Sequence, residues 1–188
     1  MRVIAGTQKG RRLLSANGLD VRPTSGRVKE ALFSIIGSRI EGARFLDLFA
    51  GTGAIGIEAL SRGAARVICI DSNPAALRYL RENLTRCHLL TKVEIRACRA
   101  EEFLGGTSAR PFDIVFADPP YDEADSRELL PSLSRSVMIR DDTIVILEHP
   151  TRRSIPSQIG RLMRSRQYRY GDTSLTKFRT LSEEIIPA

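Results

Sequence analysis

Residues 44–53 read Arg-Phe-Leu-Asp-Leu-Phe-Ala-Gly-Thr-Gly, an apolar run that ends in a glycine-rich loop. A short apolar run bounded by glycine is typical of a buried strand. Residues 51–56 complete a GxGxxG spacing and lead into a helical segment. Glycines at such a turn let a ligand approach the backbone, and the helix N-terminus offers free N–H groups. The stretch therefore predicts a nucleotide-like cofactor at the carboxyl end of the strand.

Strand and helix patterns alternate outward from this loop. Strands are predicted at residues 44–49, 67–70, 92–97, 112–117 and 143–149, and helices at 54–62, 74–84, 129–137 and 155–163. The tail predicts two antiparallel strands, 167–170 and 174–181, joined by a turn at 171–173. Near-continuous apolar strands that alternate with helices indicate a mostly parallel sheet covered on both faces. The predicted fold class is α/β and Rossmann-like, with an antiparallel C-terminal edge.

The N-terminal residues do not fit this alternation. Residues 2–21 hold short apolar runs around a basic, glycine-flanked centre, which predicts a hairpin with a basic tip. A loop at residues 22–26 follows. The helical spacing of Val28, Leu32, Ile35 and Ile36 then predicts a helix. We therefore divide one compact domain into an N-terminal extension, residues 1–43, and an α/β domain, residues 44–188.

Charge is unevenly distributed along the 188 residues. Residues 1–44 carry a net +6, residues 45–150 a net −4, and residues 151–188 a net +5. Basic ends around an acidic middle fit a polyanionic substrate held by the ends. Three cysteines without CxxC spacing indicate reduced thiols and a cytoplasmic protein. Two histidines without ligand spacing make a metal site unexpected, and no apolar run approaches the ~20 residues of a membrane span.

The segment Asp118-Pro119-Pro120-Tyr121 follows the predicted strand at 112–117. Each proline fixes φ, removes a donor and restricts the residue before it, so the carbonyls of Asp118 and Pro119 can accept from a ligand. The expected ligand is a planar amine that these acceptors hold and that stacks on Tyr121. The alternative is a rigid proline turn with a surface tyrosine.

Two further aspartates close the predicted cleft. Asp71 ends the second strand, where a carboxylate can bind the hydroxyls of a ribose. Asp47 lies just before the glycine loop, where it can meet the cationic end of S-adenosylmethionine but would be poorly placed near a pyrophosphate. Strand ends of a parallel sheet meet at one edge, so Asp47, Asp71 and Asp118 should converge. Backbone anchoring of Asp47 and capping of the next helix by Asp71 are the structural alternatives.

With these motifs in place, the chain resembles class I S-adenosylmethionine-dependent amino-methyltransferases. Segments 2–6 with 9–11, 22–33 and 170–173 narrow the resemblance to the RsmD family of bacterial 16S rRNA guanine-N2 methyltransferases. The resemblance covers nearly the whole chain, and it implies that residues 1–43 are an RNA-binding extension and residues 44–188 the methyltransferase domain. It implies a seven-stranded sheet, an S-adenosylmethionine cofactor, and N2-methylation of one guanine in small-subunit RNA within an assembled or assembling subunit. We expect the protein to be a monomer.

The expected site residues follow from the motifs and from this resemblance. The catalytic set is Asp118, Pro119, Pro120 and Tyr121; the cofactor set is Asp47, Ala50, Gly51, Thr52, Gly53, Asp71, Ser72, Asn73, Arg99 and Ala100; the RNA set is Lys9, Arg11, Arg22, Thr24, Arg27 and Lys29. Arg99 stands where such enzymes usually place an aspartate near the adenine amine. Because a guanidinium cannot accept a hydrogen bond, Glu101 or Glu102 takes over that role, or backbone and stacking hold the adenine.

Several other functions fit part of the pattern. A DNA or RNA adenine-N6 methyltransferase also uses Asp-Pro-Pro-Tyr, but the DNA enzymes usually need a separate target-recognition region. A protein glutamine methyltransferase would be expected to carry Asn in place of Asp118. An NAD-binding oxidoreductase fits GxGxxG but leaves Asp-Pro-Pro-Tyr unexplained. A non-catalytic RNA-binding protein is disfavoured by the intact Asp47, Asp71 and Asp118.

Overall fold

The computed structural model describes residues 1–15, 26–106, 110–120 and 128–182. The strands in these ranges are β1 (Arg44–Leu48), β2 (Arg66–Asp71), β3 (Val93–Ala97), β4 (Phe112–Ala117), β5 (Ile139–Pro150), β6 (Gln158–Ile159), β7 (Leu162–Tyr170) and β8 (Thr173–Thr180). The α-helices are α1 (Gly26–Ile36), α2 (Ala54–Ser61), α3 (Pro74–Arg86), α4 (Ala100–Leu104) and α5 (Leu129–Arg135).

All of these strands form one sheet in the order β3-β2-β1-β4-β5-β8-β7-β6. The first five in this order pair in parallel, whereas β8, β7 and β6 complete the edge by antiparallel pairing. The predicted α/β class with an antiparallel C-terminal edge is confirmed. The order reverses between β1 and β4, and ligands of open parallel sheets bind at such a reversal.

Helices cover both faces of the sheet because alternate strand residues point to opposite sides. On one face, residues of α1, α2 and α3 pack with Phe45 and Phe116. On the other, α4 and α5 pack with Leu46 and Val115. We call the first the α1 face. Burial of β1, β2, β4 and the second half of β5 on both sides explains why these strands appear in the sequence as unbroken apolar runs.

The N-terminal segment packs on the α1 face. Residues 1–13 fold back through one antiparallel bridge, Arg2 to Arg12, and a 3-10 turn at Gly6–Gln8. The predicted hairpin is thus present as a single bridge without a strand ladder, and residues 16–21 of that prediction lie outside the described residues. Val3 and Leu13 are buried in the same core as α1 and β1. The extension therefore shares its hydrophobic core with the sheet.

Two predictions for the C-terminal third need correction. The predicted helix at residues 155–163 is wrong, since Gln158–Ile159 pairs with Met163 and Leu162 as a hairpin. Gly160 forms its turn with a φ of +51°. The two-residue β6 also brings the number of strands in the described residues to eight, where seven were expected.

The described ranges contain neither a membrane-spanning helix nor a cluster of metal-ligating side chains. None of the helices there is long and apolar enough to cross a bilayer. The same ranges hold no group of three or more His, Cys, Asp or Glu side chains that could bind a metal ion.

Candidate active site

The three predicted aspartates converge at the carboxyl ends of β2, β1 and β4. Leu48 pairs with Ile70 on one side and with Ala117 on the other. Asp71 and Asp118, each one residue further along, therefore flank the end of β1. The pKa of Asp47 is raised in part by the charges of Asp118 and Asp71, so the three carboxylates lie within electrostatic range of one another.

A tight loop leads from β1 into α2. Phe49 adopts a left-handed backbone with a φ of +65°, which costs a non-glycine residue about 1–3 kcal/mol. The Ala50 N–H donates to the Ile70 carbonyl at 2.9 Å, and the Gly51 N–H donates to Asp71 Oδ2 at 2.7 Å. Gly53 has a φ of +81°, and a Cβ there would lie 2.1 Å from Leu80 Cδ1. The loop is thus bent back onto β2, with its backbone close to Asp71.

Asp47 is buried beneath the start of α2. Its Oδ2 accepts from the Gly56 N–H at 3.0 Å, and a Cβ at Gly56 would lie 2.9 Å from Cys69 Sγ. Burial raises the pKa of Asp47 to about 8; the Gly56 hydrogen bond opposes this, and Asp118 and Asp71 add to it. A cation in the cleft would favour the ionised form. The predicted contact between Asp47 and a cationic group of the cofactor therefore stays a prediction. The structure itself shows Asp47 bound to the backbone of α2 through the Gly56 N–H.

The raised pKa of Asp47 predicts a pH-dependent stability for the cofactor-free protein. The folded state holds a proton that an unfolded aspartate with a pKa of 3.8 releases, so stability falls as pH rises from about 4 towards 8. Asp47→Asn cannot release that proton. We expect the melting temperature of the wild type to fall more than that of Asp47→Asn between pH 5 and pH 8, measured by circular dichroism. Parallel curves would show that Asp47 is ionised in the folded protein.

Asp71 and Asn73 organise the turn after β2. Besides the Gly51 N–H, Asp71 accepts the Asn73 N–H at 2.8 Å through Oδ1. Asn73, and not Asp71, caps α3, because its Oδ1 accepts from the N–H groups of Ala75 and Ala76. Ser72 is exposed beside them. The predicted cofactor contacts of Asp71, Ser72 and Asn73 stay predictions. The Asn73 side-chain oxygen is already engaged as the N-cap of α3.

A pocket opens between Asp71 and the start of α4. It is lined by Phe49, Ile70, Asp71, Ser72, Cys98, Arg99, Ala100 and Glu101. Glu101 Oε1 is buried there without a hydrogen-bond partner, while Oε2 lies 3.7 Å from the Arg99 guanidinium. Glu102 instead lines a separate cavity with Arg44 and Arg66. Of the two glutamates considered as an adenine-amine acceptor, the structure favours Glu101.

This arrangement predicts that Glu101→Ala weakens binding of S-adenosylhomocysteine. A hydrogen bond to a charged acceptor contributes about 1.5–3 kcal/mol, which corresponds to roughly 10- to 150-fold in Kd. Glu102→Ala is the matched control, since it removes the same charge one residue away and should leave Kd unchanged. Isothermal titration measures both, and equal effects of the two variants would remove Glu101 from the adenine site.

The segment after β4 is described as far as Pro120. The Asp118 N–H lies 3.4 Å from the Leu48 carbonyl, which holds the segment against the end of β1. Asp118 is half-buried, Pro119 is buried and Pro120 is exposed. Tyr121 lies outside the described residues. The geometry thus brings Asp118 beside the glycine loop, and the catalytic roles of the four residues stay predictions.

The predicted RNA contacts divide into three groups. Lys9, Arg11 and Arg27 are exposed, and Arg22 and Thr24 lie outside the described residues. The prediction for Lys29 is wrong, because its side chain is only 1% exposed. The Lys29 ammonium lies 2.9 Å from Glu58 Oε2 and donates to the Arg2 carbonyl at 2.8 Å. A buried ammonium needs such partners, and here they lie inside the protein.

Glu58 is the centre of a buried polar network that the motifs did not reveal. Its carboxylate accepts from the N–H groups of Ile4 and Ala5 at 2.8 and 2.9 Å, and from Lys29 and Arg62 at 2.9 Å each. Burial opposes ionisation, but the bonds from Lys29 and Ile4 outweigh it and lower the pKa of Glu58. The network fastens the N-terminal segment to α2, the helix that begins at the glycine loop.

Asn83 on α3 makes a second buried link to the same segment. Its amide accepts from the Leu14 N–H at 2.7 Å and donates to the Leu14 carbonyl at 3.1 Å. The amide also donates to the Thr52 carbonyl in the glycine loop at 3.0 Å. Asn83 and Glu58 were both visible in the sequence as single polar residues within apolar helical faces, but their partners are far away along the chain.

The fold and the site together define a class I methyltransferase, and its cofactor is S-adenosylmethionine. Two observations fit this cofactor. Asp71 lies against the glycine loop at the switch point of the sheet. The buried, unpartnered Glu101 Oε1 offers an acceptor in the neighbouring pocket.

The chain belongs to the RsmD-like methyltransferase family, because the family model described as "Conserved hypothetical protein 95" matches residues 1–179. It is 32% identical over 157 residues to "Ribosomal RNA small subunit methyltransferase D" of Escherichia coli (strain K12), with 84% of this chain and 78% of that protein covered. YlbH of Bacillus subtilis (strain 168), provisionally named as an rRNA methyltransferase, is 36% identical over 181 residues, which cover 95% of this chain and 98% of YlbH.

Solved structures of methyltransferases are similar to this chain as well. The protein yhhF from Escherichia coli, provisionally described as a methyltransferase, superposes with a TM-score of 0.86 at 30% identity, covering 97% of this chain and 99% of yhhF. An RNA methyltransferase from Salinibacter ruber, solved in complex with S-adenosyl-L-homocysteine, has a TM-score of 0.68 at 19% identity, covering 88% and 97% of the two chains. The second likeness concerns the fold alone.

Proposed function

We propose that this protein transfers a methyl group to the exocyclic N2 amine of a guanine in the 16S rRNA of the small ribosomal subunit, acting as a monomer in the cytoplasm. The observation that carries the proposal is the position of Asp118 and Pro119 at the end of β4, beside the glycine loop of a cofactor site. The names of the relatives support small-subunit rRNA as substrate. Guanine N2 is supported by the sequence resemblance to the RsmD family.

The proposed chemistry at Asp118 is electrostatic. The lone pair of an exocyclic base amine is delocalised into the ring, which makes the nitrogen a poor nucleophile. The Asp118 carboxylate and the Pro119 carbonyl accept its two N–H groups, favour pyramidalisation and increase the charge on nitrogen. Acceptors that are already in place act without reorganisation, and Asp118 can also take the proton that nitrogen loses. Tyr121 stacks on the base in this proposal.

The cofactor side depends on residues around the glycine loop. When bound, S-adenosylmethionine supplies an electrophilic methyl group on a sulfonium. Asp71 holds the ribose hydroxyls, Glu101 accepts from the adenine amine, and Asp47 lies on the side of the cationic amino-acid end. These assignments use carboxylates on β1, on β2 and at the start of α4, so each is fixed by a different element.

The substrate side depends on the basic N-terminal segment. Lys9, Arg11 and Arg27 are exposed and supply positive charge for phosphate contacts. In the proposal Arg22 adds a further positive charge, and Thr24 adds a hydroxyl that can hydrogen-bond to a phosphate. Lys29 has no part in it, because its charge is used inside the protein. The Glu58 and Asn83 networks hold residues 4–14 of this segment in a fixed position relative to the cofactor loop.

Methyl transfer from labelled S-adenosylmethionine to different acceptors tests the substrate class. Small subunits from cells that lack this gene, deproteinised 16S rRNA and double-stranded DNA are compared, with subunits from cells that express the gene as a control. We expect label in rRNA from the first subunits and little in the control, whose target is already methylated. Label in DNA alone would contradict the rRNA assignment and support the adenine-N6 alternative.

A further inference from the structure

We infer that the groove between α1 and β7 is a second RNA subsite, which stacks a nucleotide near the methylated base in the RNA chain. The groove is lined by Arg27, Glu30, Ala31, Ser34, Ile35, Tyr168 and Tyr170. The inference rests on the proposed function for its ligand, single-stranded RNA, but nothing in the cofactor site or in the chemistry at Asp118 uses these residues.

Strand register places the groove at the catalytic edge of the sheet. Tyr168 pairs with Leu175, and Leu175 pairs with Glu148. Because Ala117 pairs with Leu147, Asp118 lies next to Glu148 on the neighbouring strand. Tyr168 is therefore level with Asp118, three strands away, at a distance of roughly 14 Å. A few nucleotides of single-stranded RNA span this distance.

Both tyrosines lie on the α1 face of the sheet. Directly opposed residues of an antiparallel pair project to the same side. Leu175 belongs to the core of the α1 face, so its partner Tyr168 projects to that face, and Tyr170 does so by alternation. Tyr170 also packs against this core. Both rings are half-buried, which leaves part of each accessible from the groove.

The charges around the groove suit an RNA chain. Arg27 lines the α1 side, and the Arg166 guanidinium lies 5.1 Å from the centroid of the Tyr168 ring. Lys177 is opposite Arg166 in the ladder and shares its face. Glu30 is the carboxylate among the lining residues. Aromatic rings with nearby cations form the usual platform for single-stranded nucleic acid, with phosphates held by the cations and bases stacked on the rings.

The decisive variant is Tyr168→Ala, and Tyr168→Phe should rescue it because phenylalanine keeps the ring. Base stacking contributes roughly 5- to 150-fold in affinity per base, equivalent to about 1–3 kcal/mol. Tyr79→Ala is the matched control, since Tyr79 is also half-buried and has an arginine, Arg78, 5.5 Å from its ring, but lies on α3. Circular dichroism and the Kd for S-adenosylhomocysteine should be unchanged in all three.

Binding is measured by fluorescence anisotropy with a fluorescein-labelled, single-stranded RNA 12-mer of mixed sequence. We expect a 5- to 150-fold higher Kd for Tyr168→Ala, and wild-type values within twofold for Tyr168→Phe and Tyr79→Ala. The KM for small subunits should rise in Tyr168→Ala with kcat retained. Wild-type affinity and KM in Tyr168→Ala, or no binding of the 12-mer by the unmodified protein, would overturn the subsite.

Photocrosslinking gives an answer that does not depend on any variant. The unmodified protein is irradiated with the same 12-mer carrying 5-iodouridine, and the crosslinked peptide is identified by mass spectrometry. Crosslinks at Tyr168 or Tyr170 support the subsite, and crosslinks confined to other segments overturn it. RNA binding that depends on Tyr168, without methyl transfer to subunits, would keep the groove and reject the proposed function. Methyl transfer to subunits with an unchanged KM in Tyr168→Ala would support the proposed function and reject the groove as an RNA subsite.

Discussion

Asp118→Ala is expected to lower kcat for methyl transfer by about 10²–10³-fold or more, because removal of one preorganised group that stabilises developing charge typically has this cost. The Kd for S-adenosylhomocysteine should change little, because Asp118 lies on the substrate side of the glycine loop in the proposed site. Single-turnover transfer to small subunits measures the first quantity, and isothermal titration measures the second.

Asp142→Ala is a suitable control for Asp118→Ala, since Asp142 is 58% exposed and lies near the start of β5. Asp142→Ala removes the same charge near the amino end of a strand, away from the carboxyl ends that form the site, and should leave kcat unchanged. Asp118→Asn separates charge from hydrogen bonding, because the amide keeps an acceptor oxygen and loses the negative charge. Turnover of Asp118→Ala at the wild-type rate would remove Asp118 from the mechanism.

Glu58→Ala is expected to destabilise the protein by about 3–5 kcal/mol, because it leaves the buried ammonium of Lys29 without its carboxylate. The backbone N–H groups of Ile4 and Ala5 lose their acceptor as well. Whole domains of this kind have unfolding free energies of only about 5–15 kcal/mol, so the loss is a large fraction of the total. Urea denaturation followed by circular dichroism measures it.

The matched control for Glu58→Ala is Glu82→Ala. Glu82 also pairs with an arginine four residues later on a helix, but the Glu82 and Arg86 side chains are 51% and 50% exposed and 3.6 Å apart. An exposed pair contributes about 0–1 kcal/mol, so Glu82→Ala should scarcely move the urea midpoint. Similar midpoint shifts for the two variants would mean that the Glu58 network does not fix the N-terminal segment.

The sheet and the cofactor loop could be predicted from sequence because their signals are local. The apolar run before Asp118 and the glycines after Asp47 mark a strand and a turn without reference to the rest of the chain. The convergence of Asp47, Asp71 and Asp118 then follows from a general property of parallel sheets. The wrong helix at residues 155–163 shows the limit, since a short apolar pattern is shared by helices and edge strands.

Interactions between distant residues could not be predicted in the same way. Lys29 looks like any basic residue near a loop, and only its position opposite Glu58 shows that its charge is internal. Phe49 gives no sequence signal for a left-handed backbone, because that conformation is imposed by the loop around it. Glu101 and Glu102 are adjacent and equivalent in composition, and the course of α4 decides which one faces the pocket beside Asp71.

The identity of the methylated nucleoside is the most direct test of the proposed function. Small subunits from cells that lack this gene are incubated with the protein and labelled S-adenosylmethionine, and the rRNA is digested to nucleosides for mass spectrometry. N2-methylguanosine is the predicted product, absent when Asp118→Ala is used. N6-methyladenosine, or no labelled nucleoside from an enzyme that binds the cofactor, would contradict the assignment of guanine N2 as the target.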